Sequence, residues 1–258
     1  MKQEILKHLP SGHPWRDRIL VYDVLDSTND HARQLAKEGA PEGTVVIARQ
    51  QTAGRGRMGR SFLSPKDRGL YMSLVLRPEN VLGDLMHLTC AVAMAVCDAI
   101  EEVTGVRPGI KWINDLVLNR RKIAGILTQL KIRPPTEVDY AIIGIGINLN
   151  GNDFPEELRS IAGSLESELG TAPSLPALAA AVVTALEAMD LKAPWLDRYQ
   201  KDCILIGSEV RVISPESTRE GRALEVLPDG SLMVEFSDGH REAVFCGEVS
   251  VRGLWDYL

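Results

Sequence analysis

The chain has 258 residues, 45% hydrophobic and 25% charged, and its 29 basic against 35 acidic side chains give a formal net charge of −6. That allows one large domain, or one with a small satellite, around a sizeable core, and it excludes the global basic field that draws a protein to DNA or anionic lipid. No apolar run reaches the roughly 18 residues of a membrane span, and residues 1–10 lack the apolar segment of a signal peptide.

After a short polar start, residues 18–24 read as a strand. Ser27-Thr28-Asn29-Asp30 then opens a helix, with Ser27 and Asp30 at capping-box spacing, and Gly39 followed by Pro41 ends it. A buried-type strand over residues 44–49 runs into Gly54-Arg55-Gly56-Arg57-Met58-Gly59-Arg60. There glycine permits close backbone approach, and arginine supplies planar donors suited to carboxylate or phosphate. The pattern is that of an anion-wrapping loop, a local device in an acidic protein. Residues 69–77 form a further strand closed by Pro78, and residues 84–103 a long central helix stopped by Gly105. Residues 110–118 and 123–132 read as a hairpin turning at residues 119–122, and residues 140–148 as a strand interrupted by Gly144 and Gly146. Residues 154–200 are helical in pattern. Beyond Gly207 the period shortens to alternating strands with turns at Asp229-Gly230 and Asp238-Gly239. The expected organisation is a leader over residues 1–17, a main domain over 18–206, and a small β-barrel over 207–258.

Cys90, Cys97, Cys203 and Cys246 form no CxxC pair and read as reduced cysteines of a cytoplasmic protein. The five histidines are scattered without metal-ligand spacing, which argues against zinc. Residues 54–61 nearly spell a P-loop, but Arg60 replaces its lysine and Phe62-Leu63-Ser64-Pro65 cannot readily launch the helix that would cradle phosphates. Gly144-Ile145-Gly146 lacks the third glycine of a dinucleotide fingerprint. An RGG-type nucleic-acid segment would lie in disordered repeats, whereas this loop occurs once in a structured stretch. Taken singly, Asp26–Asn29 is most simply a helix cap, residues 111–116 a strand with an exposed end, and residues 121–127 a hairpin with solvated basic residues.

In order and spacing, however, these segments resemble the biotin protein ligases. The resemblance rests on Ser27-Thr28-Asn29, Gln51-Thr52-Ala53-Gly54-Arg55-Gly56-Arg57, Lys111-Trp112-Ile113-Asn114-Asp115, residues 121–126, Gly144-Ile145-Gly146-Ile147-Asn148 and Gly247-Glu248-Val249-Ser250. It runs from about residue 18 to the end. Ile113 stands at a usual proline, Met58 at a usual basic or small residue, and Gly163 at a usual threonine. Only about 17 residues precede the first strand, too few for the winged helix-turn-helix of bifunctional members, so the expectation is a ligase without DNA binding.

The resemblance implies an α+β fold: a mixed, mostly antiparallel sheet with helices, like class II aminoacyl-tRNA synthetase catalytic domains, plus a C-terminal SH3-like barrel. It implies an ATP-dependent, AMP-forming reaction through biotinyl-5′-adenylate, with transfer to a lysine of a biotin carboxyl carrier domain, Mg²⁺ accompanying ATP, and no prosthetic group. Ser27, Thr28, Asn29 and Gln51 would meet the ureido ring, with Gly125 beside them. Trp112 and the glycines of 144–146 would give apolar walls and room. Arg55 and Arg57, with the amides of Gly54 and Gly56, would cover the carboxylate and later the adenylate phosphate. Lys122 would stabilise charge in both steps, and Lys111 would meet the triphosphate. Arg60, Trp112, Asn114 and Asn148 complete the nucleotide site, and Asp115 and Asn148 are the candidates for the Mg²⁺ shell or for orienting the attacking lysine. A homodimer formed by sheet pairing is a further implication. The rivals are a lipoate-type ligase and a biotin-binding sensor without turnover. Lys111, Lys122 and Asp115 weigh against the sensor, since a pure binder needs no triphosphate cations.

Overall fold

The computed structural model describes residues 1–78, 82–214, 216–245 and 250–253. Gly247-Glu248-Val249 and Cys246 lie outside the described residues.

The first helix, α1 (Lys2–His8), belongs to the stretch expected as a leader, yet Ile5 is fully buried and α1 packs on α5 (Leu175–Glu187). Strand β1 (Ile19–Tyr22) leads to α2 (Thr28–Lys37), where the Ser27 hydroxyl accepts from the Asp30 amide, as the capping spacing predicts. β2 (Thr44–Ala48) and β3 (Gly69–Leu76) flank the glycine-arginine loop. The central helix α3 is Leu88–Thr104, one turn shorter at its start than the sequence pattern suggests, because a 3₁₀ turn occupies Leu82–Leu85. Gly105 ends it at φ +74°, as expected of a left-handed C-terminal glycine.

The segment read as one strand over residues 110–118 is two: β4 (Gly109–Lys111) and β5 (Asp115–Leu118), an antiparallel hairpin with Trp112-Ile113-Asn114 as its bend and a cis peptide between Trp112 and Ile113. Ile110 through Ile113 are all buried, so unbroken burial imitates a strand where the chain turns. The next turn is tighter than expected. It comprises only Asn119 and Arg120, both at positive φ as a type I′ turn requires. Arg121 and Lys122 therefore belong to β6 (Arg121–Arg133), which pairs along most of its length with β7 (Glu137–Asn148).

The main sheet runs β1-β2-β3-β7-β6-β5-β4, parallel only between β1 and β2. One face carries the principal core, formed with α1, α3 and α5. The other carries a small cluster of Ala32 and Ala36 of α2 with Val46, Val75, Tyr140 and Ile142. Strand alternation sends Met72, Leu74, Ile143 and Ile145 to the large core and Ser73, Gly144 and Gly146 to the α2 face. The second face is thus left shallow beyond α2, which positions the site.

Helices α4 (Leu165–Leu169) and α6 (Leu196–Asp202) complete the main unit. Ser164 caps α4 in a reciprocal capping box with Ser167, so this hydroxyl is structural here. The remaining strands, β8 (Glu209–Ile213), β9 (Thr218–Val226), β10 (Leu232–Phe236), β11 (Arg241–Val244) and β12 (Ser250–Gly253), form one antiparallel sheet in the order β11-β10-β9-β8-β12.

Candidate active site

Two adjoining cavities open on the α2 face of the main sheet and beside β5. The smaller, about 460 Å³, is bounded by Ser27, Thr28 and Asn29 at the start of α2, by Gln51, and by Gly125, Gly144 and Gly146 on the sheet. Gly125 pairs with Gly146 across β6 and β7, and Gly144 pairs with Ser73. These glycines clear the floor. A Cβ on Gly144 would lie 2.1 Å from Asn29 Oδ1, and one on Gly146 would lie 2.5 Å from the Phe62 ring.

The polar end of this pocket is a buried network. Gln51 Oε1 accepts from the Thr28 amide at 2.8 Å and lies 3.1 Å from Thr28 Oγ1, while Gln51 Nε2 donates to Ser64 Oγ at 2.8 Å. Asn29 Nδ2 donates to Gln129 Oε1 at 3.2 Å. Ser73, fully buried, bridges Thr28 and Asn29 from below. Phe62, Ser73 and Gln129 escaped the sequence reading. The signal for Ser73 was present, since a hydroxyl within the fully buried run of β3 must find a partner. Phe62 is the aromatic wall of the pocket. Trp112, expected there, lines the larger cleft instead.

The larger cleft, about 1660 Å³ and open to solvent, is lined by Lys111, Trp112, Asp115, Asn148 and Arg60, with Phe154 and Val251 adding apolar surface. Gly56, Arg57, Phe62, Asn114 and Lys122 bound both cavities. Cations from the loop and from β6 thus stand at the junction. Lys122 Nζ pairs with Asp115 Oδ1 at 2.6 Å, with both side chains largely shielded from water. Arg57 Nη1 donates to Asn114 Oδ1 at 2.9 Å, and Asn114 is itself fixed by its side-chain amide on Ile126 O at 3.0 Å. Arg55 reaches Asp30 at 2.6 Å, which holds it over the start of α2 at the small pocket. Lys111 is 5% exposed despite its charge.

The loop itself is a narrow hairpin. Gly56 N donates to Arg60 O at 2.7 Å and Phe62 N to Gly54 O at 2.9 Å, with Met58 at φ 54° and Gly59 at φ 73° at its tip. Gly54 lines neither cavity. Its missing side chain admits Phe62 O, which a Cβ would approach to 2.4 Å. Glycine at this position therefore closes the hairpin, whereas ligand contact was the expectation. No helix follows the loop, so the P-loop alternative fails on geometry.

Among the described residues, Asp115 is the single carboxylate lining the larger cleft, and no group of three metal-ligating side chains occurs. One carboxylate suits a hydrated divalent ion that takes its other ligands from phosphates, and does not suit an all-protein metal cage. Burial disfavours the thiolate form of Cys97 and Cys203. It pushes Cys203 up to about 11 and raises Cys97 further.

The same architecture occurs in known proteins. Residues 21–148 match the Biotin/lipoate A/B protein ligase family. A biotin–[acetyl-CoA-carboxylase] ligase of Mycobacterium tuberculosis is 31% identical over 252 residues, covering 93% of this chain and 90% of the relative. The bifunctional ligase/repressor of Bacillus subtilis is 37% identical over 233 residues, 86% of this chain and 70% of its own. Among solved structures, the biotin protein ligase of Aquifex aeolicus in complex with biotin and ATP superposes with a TM-score of 0.74 at 28% identity, covering 91% of this chain and 98% of that one. Sequence similarity along nearly the full length, the shared fold and the two adjoining cavities lead to one assignment: this chain belongs to the biotin protein ligase family.

Proposed function

We propose that the protein activates biotin with ATP to biotinyl-5′-adenylate and transfers the biotinyl group to a lysine of a biotin carboxyl carrier domain. The observation that carries this reading is the meeting of a small polar-ended pocket and a wide cationic cleft at Arg57, Asn114 and Lys122. A two-substrate adenylation needs such a junction, because the carboxylate of one substrate must reach the α-phosphate of the other. Two like unit charges about 4 Å apart repel by about 4 kcal/mol at an effective dielectric near 20. Fixed cations at the junction offset that repulsion before reaction begins.

In the first step a biotin carboxylate oxygen bonds to the α-phosphorus and pyrophosphate leaves. Ser27, Thr28, Asn29 and Gln51 hold the ureido ring, with Gly125, Gly144 and Gly146 giving it room over the sheet. Arg55 and Arg57 cover the carboxylate, the Gly56 amide being taken by Arg60 O within the loop, and Lys122 stabilises charge on the carbonyl and bridging oxygens. Lys111 and Arg60 meet the triphosphate, and Trp112, Asn114 and Asn148 contact the nucleotide. Asp115, with Asn148, would hold the Mg²⁺ that accompanies ATP, and the ion would supply neutralisation of phosphate charge there. In the second step the acceptor amine attacks the biotinyl carbonyl and AMP leaves, with Lys122 again placed for the developing oxyanion. No enzyme nucleophile is required, since the activated intermediate is carried on AMP.

The acceptor, or a second copy in a homodimer, fits the edge of β6 beyond Ile126, where β5 no longer pairs with it. A reducing, cytoplasmic location is consistent with the buried thiols of Cys97 and Cys203. Pyrophosphate exchange into ATP with biotin, lipoate or neither tests the assignment. Exchange that depends on biotin alone is expected, and exchange with lipoate would replace biotin as the substrate.

A further inference from the structure

The start of α2 supplies two side chains to the small pocket, and both rest on a residue that touches no ligand. Ser73 Oγ lies 2.6 Å from Asn29 Oδ1 and 2.8 Å from Thr28 Oγ1, at a position with no solvent exposure. The carboxamide orientation is fixed from its other end, where Asn29 Nδ2 faces Gln129 Oε1 and the Leu127 carbonyl. Asn29 Oδ1 therefore points to Ser73, and it can only accept. A hydroxyl carries one proton, so Ser73 gives its proton to Asn29. Thr28 Oγ1 then has two inward neighbours able to accept, Ser73 Oγ at 2.8 Å and Gln51 Oε1 at 3.1 Å. Whichever of them receives it, the Thr28 proton is engaged within the protein, and only lone pairs are left facing the pocket. Gln51 Oε1, already accepting from the Thr28 amide, has the same polarity.

We infer that Ser73 is a positioning residue that fixes the hydrogen-bond polarity of Thr28, leaving Thr28 Oγ1 and Gln51 Oε1 as acceptors toward the pocket that favour ligands presenting N–H donors. This rests on the proposed biotin site and adds a basis for selectivity within it. A cyclic urea meets the surface with two N–H groups. A dithiolane, or a ring with oxygen in place of one N–H, leaves a buried acceptor unpaired, a loss that costs binding roughly tenfold or more per acceptor. Gly144 belongs to the same device, because only a residue without Cβ leaves Asn29 Oδ1 room above Ser73.

The test measures binding of biotin, and of the biotin analogue in which one ureido N–H is replaced by ring oxygen, to the wild type and to Ser73→Ala, with thermal unfolding as a check. Wild type is expected to prefer biotin by at least roughly tenfold. In Ser73→Ala, Asn29 loses its donor and Thr28 can turn its proton outward. The preference should fall several-fold while KM for ATP stays within about twofold, since Ser73 lies outside the nucleotide cleft. Ser73→Cys, a weaker donor of similar size, should give an intermediate preference and serves in place of the alanine variant if that fails to fold. Biotin and the analogue weakened equally would reduce Ser73 to packing and overturn the inference, as would an unchanged preference. Failure of the wild type to bind biotin would overturn the underlying ligase reading instead.

Discussion

At the residue scale, Lys122 is the side chain on which both proposed half-reactions would converge, because it borders both cavities and is held by Asp115 at 2.6 Å. A lysine fixed by a carboxylate is preorganised, so its charge needs no reorientation as the oxyanion forms. Lys122→Ala should lower biotin-dependent pyrophosphate exchange by at least roughly a hundredfold, about 2.7 kcal/mol of barrier, with the unfolding temperature little changed. Near-normal exchange would remove Lys122 from the chemistry. His13 carries a prediction of a different kind. Burial favours its neutral form and lowers its pKa, with Glu187 opposing and Arg16 adding to the shift, while its Nδ1 accepts from the Trp15 amide at 3.1 Å. Because the folded value is depressed, the stability His13 contributes is present above the unfolded value near 6.5 and is lost as pH falls through the folded one. The loss of unfolding temperature below about pH 6.5 should therefore be shallower in His13→Asn than in the wild type. Identical acid limbs would exclude His13 as a titrating element of the α1 region.

At the element scale, the arrangement of β7 explains why one strand serves both core and site. Its Ile143, Ile145 and Ile147 enter the main core while Gly144 and Gly146 open the opposite face. Gly144→Ala brings a Cβ into Asn29 and should raise KM for biotin at least roughly tenfold with KM for ATP unchanged, which steady-state exchange kinetics will resolve. Equal rises for both substrates would indicate a disturbed sheet. The same elements show what is readable in the chain. The Ser27 cap, the Gly105 stop and the paired glycines follow from local chemistry, where one residue type satisfies one backbone need. The bend at Trp112-Ile113-Asn114 does not follow from it. It contains neither glycine nor proline and is buried on both sides, so the hydrophobic pattern gives no sign of the turn. Phe62 was hidden for a related reason, and for Ser73 only the need of a buried hydroxyl for a partner was legible, not the partner itself. Each acquires its function only when β3, β7 and the loop are brought together, a register that no local spacing encodes.

At the scale of the whole molecule, the C-terminal sheet reaches into the nucleotide cleft at two points. Val251 of β12 lines the cleft, and the turn before β10 accepts a hydrogen bond at Gly230 O from Trp112 Nε1, 2.9 Å away and buried. That turn is stiff. Asp229 accepts from the amide and hydroxyl of Ser231, and the hydroxyl chiefly holds its carboxyl below the usual range. Gly230 sits at φ +82° against His87 and Cys90 at the start of α3, where a Cβ would find 3.4 Å and 3.5 Å of clearance. The turn is therefore wedged between α3 and the Lys111–Asp115 bend, and it fixes the indole beside Lys111 and Asn114, which line the larger cleft. Gly230→Ala forces an unfavourable left-handed conformation on a residue with a side chain and should shift the carbonyl. Trp112→Phe removes the donor from the other side. Each should raise KM for ATP several-fold and leave biotin affinity intact, and the double variant should be little worse than the worse single one, because both break the same link. Fully additive losses would mean that the two residues act separately and that the C-terminal sheet serves the site only by covering it.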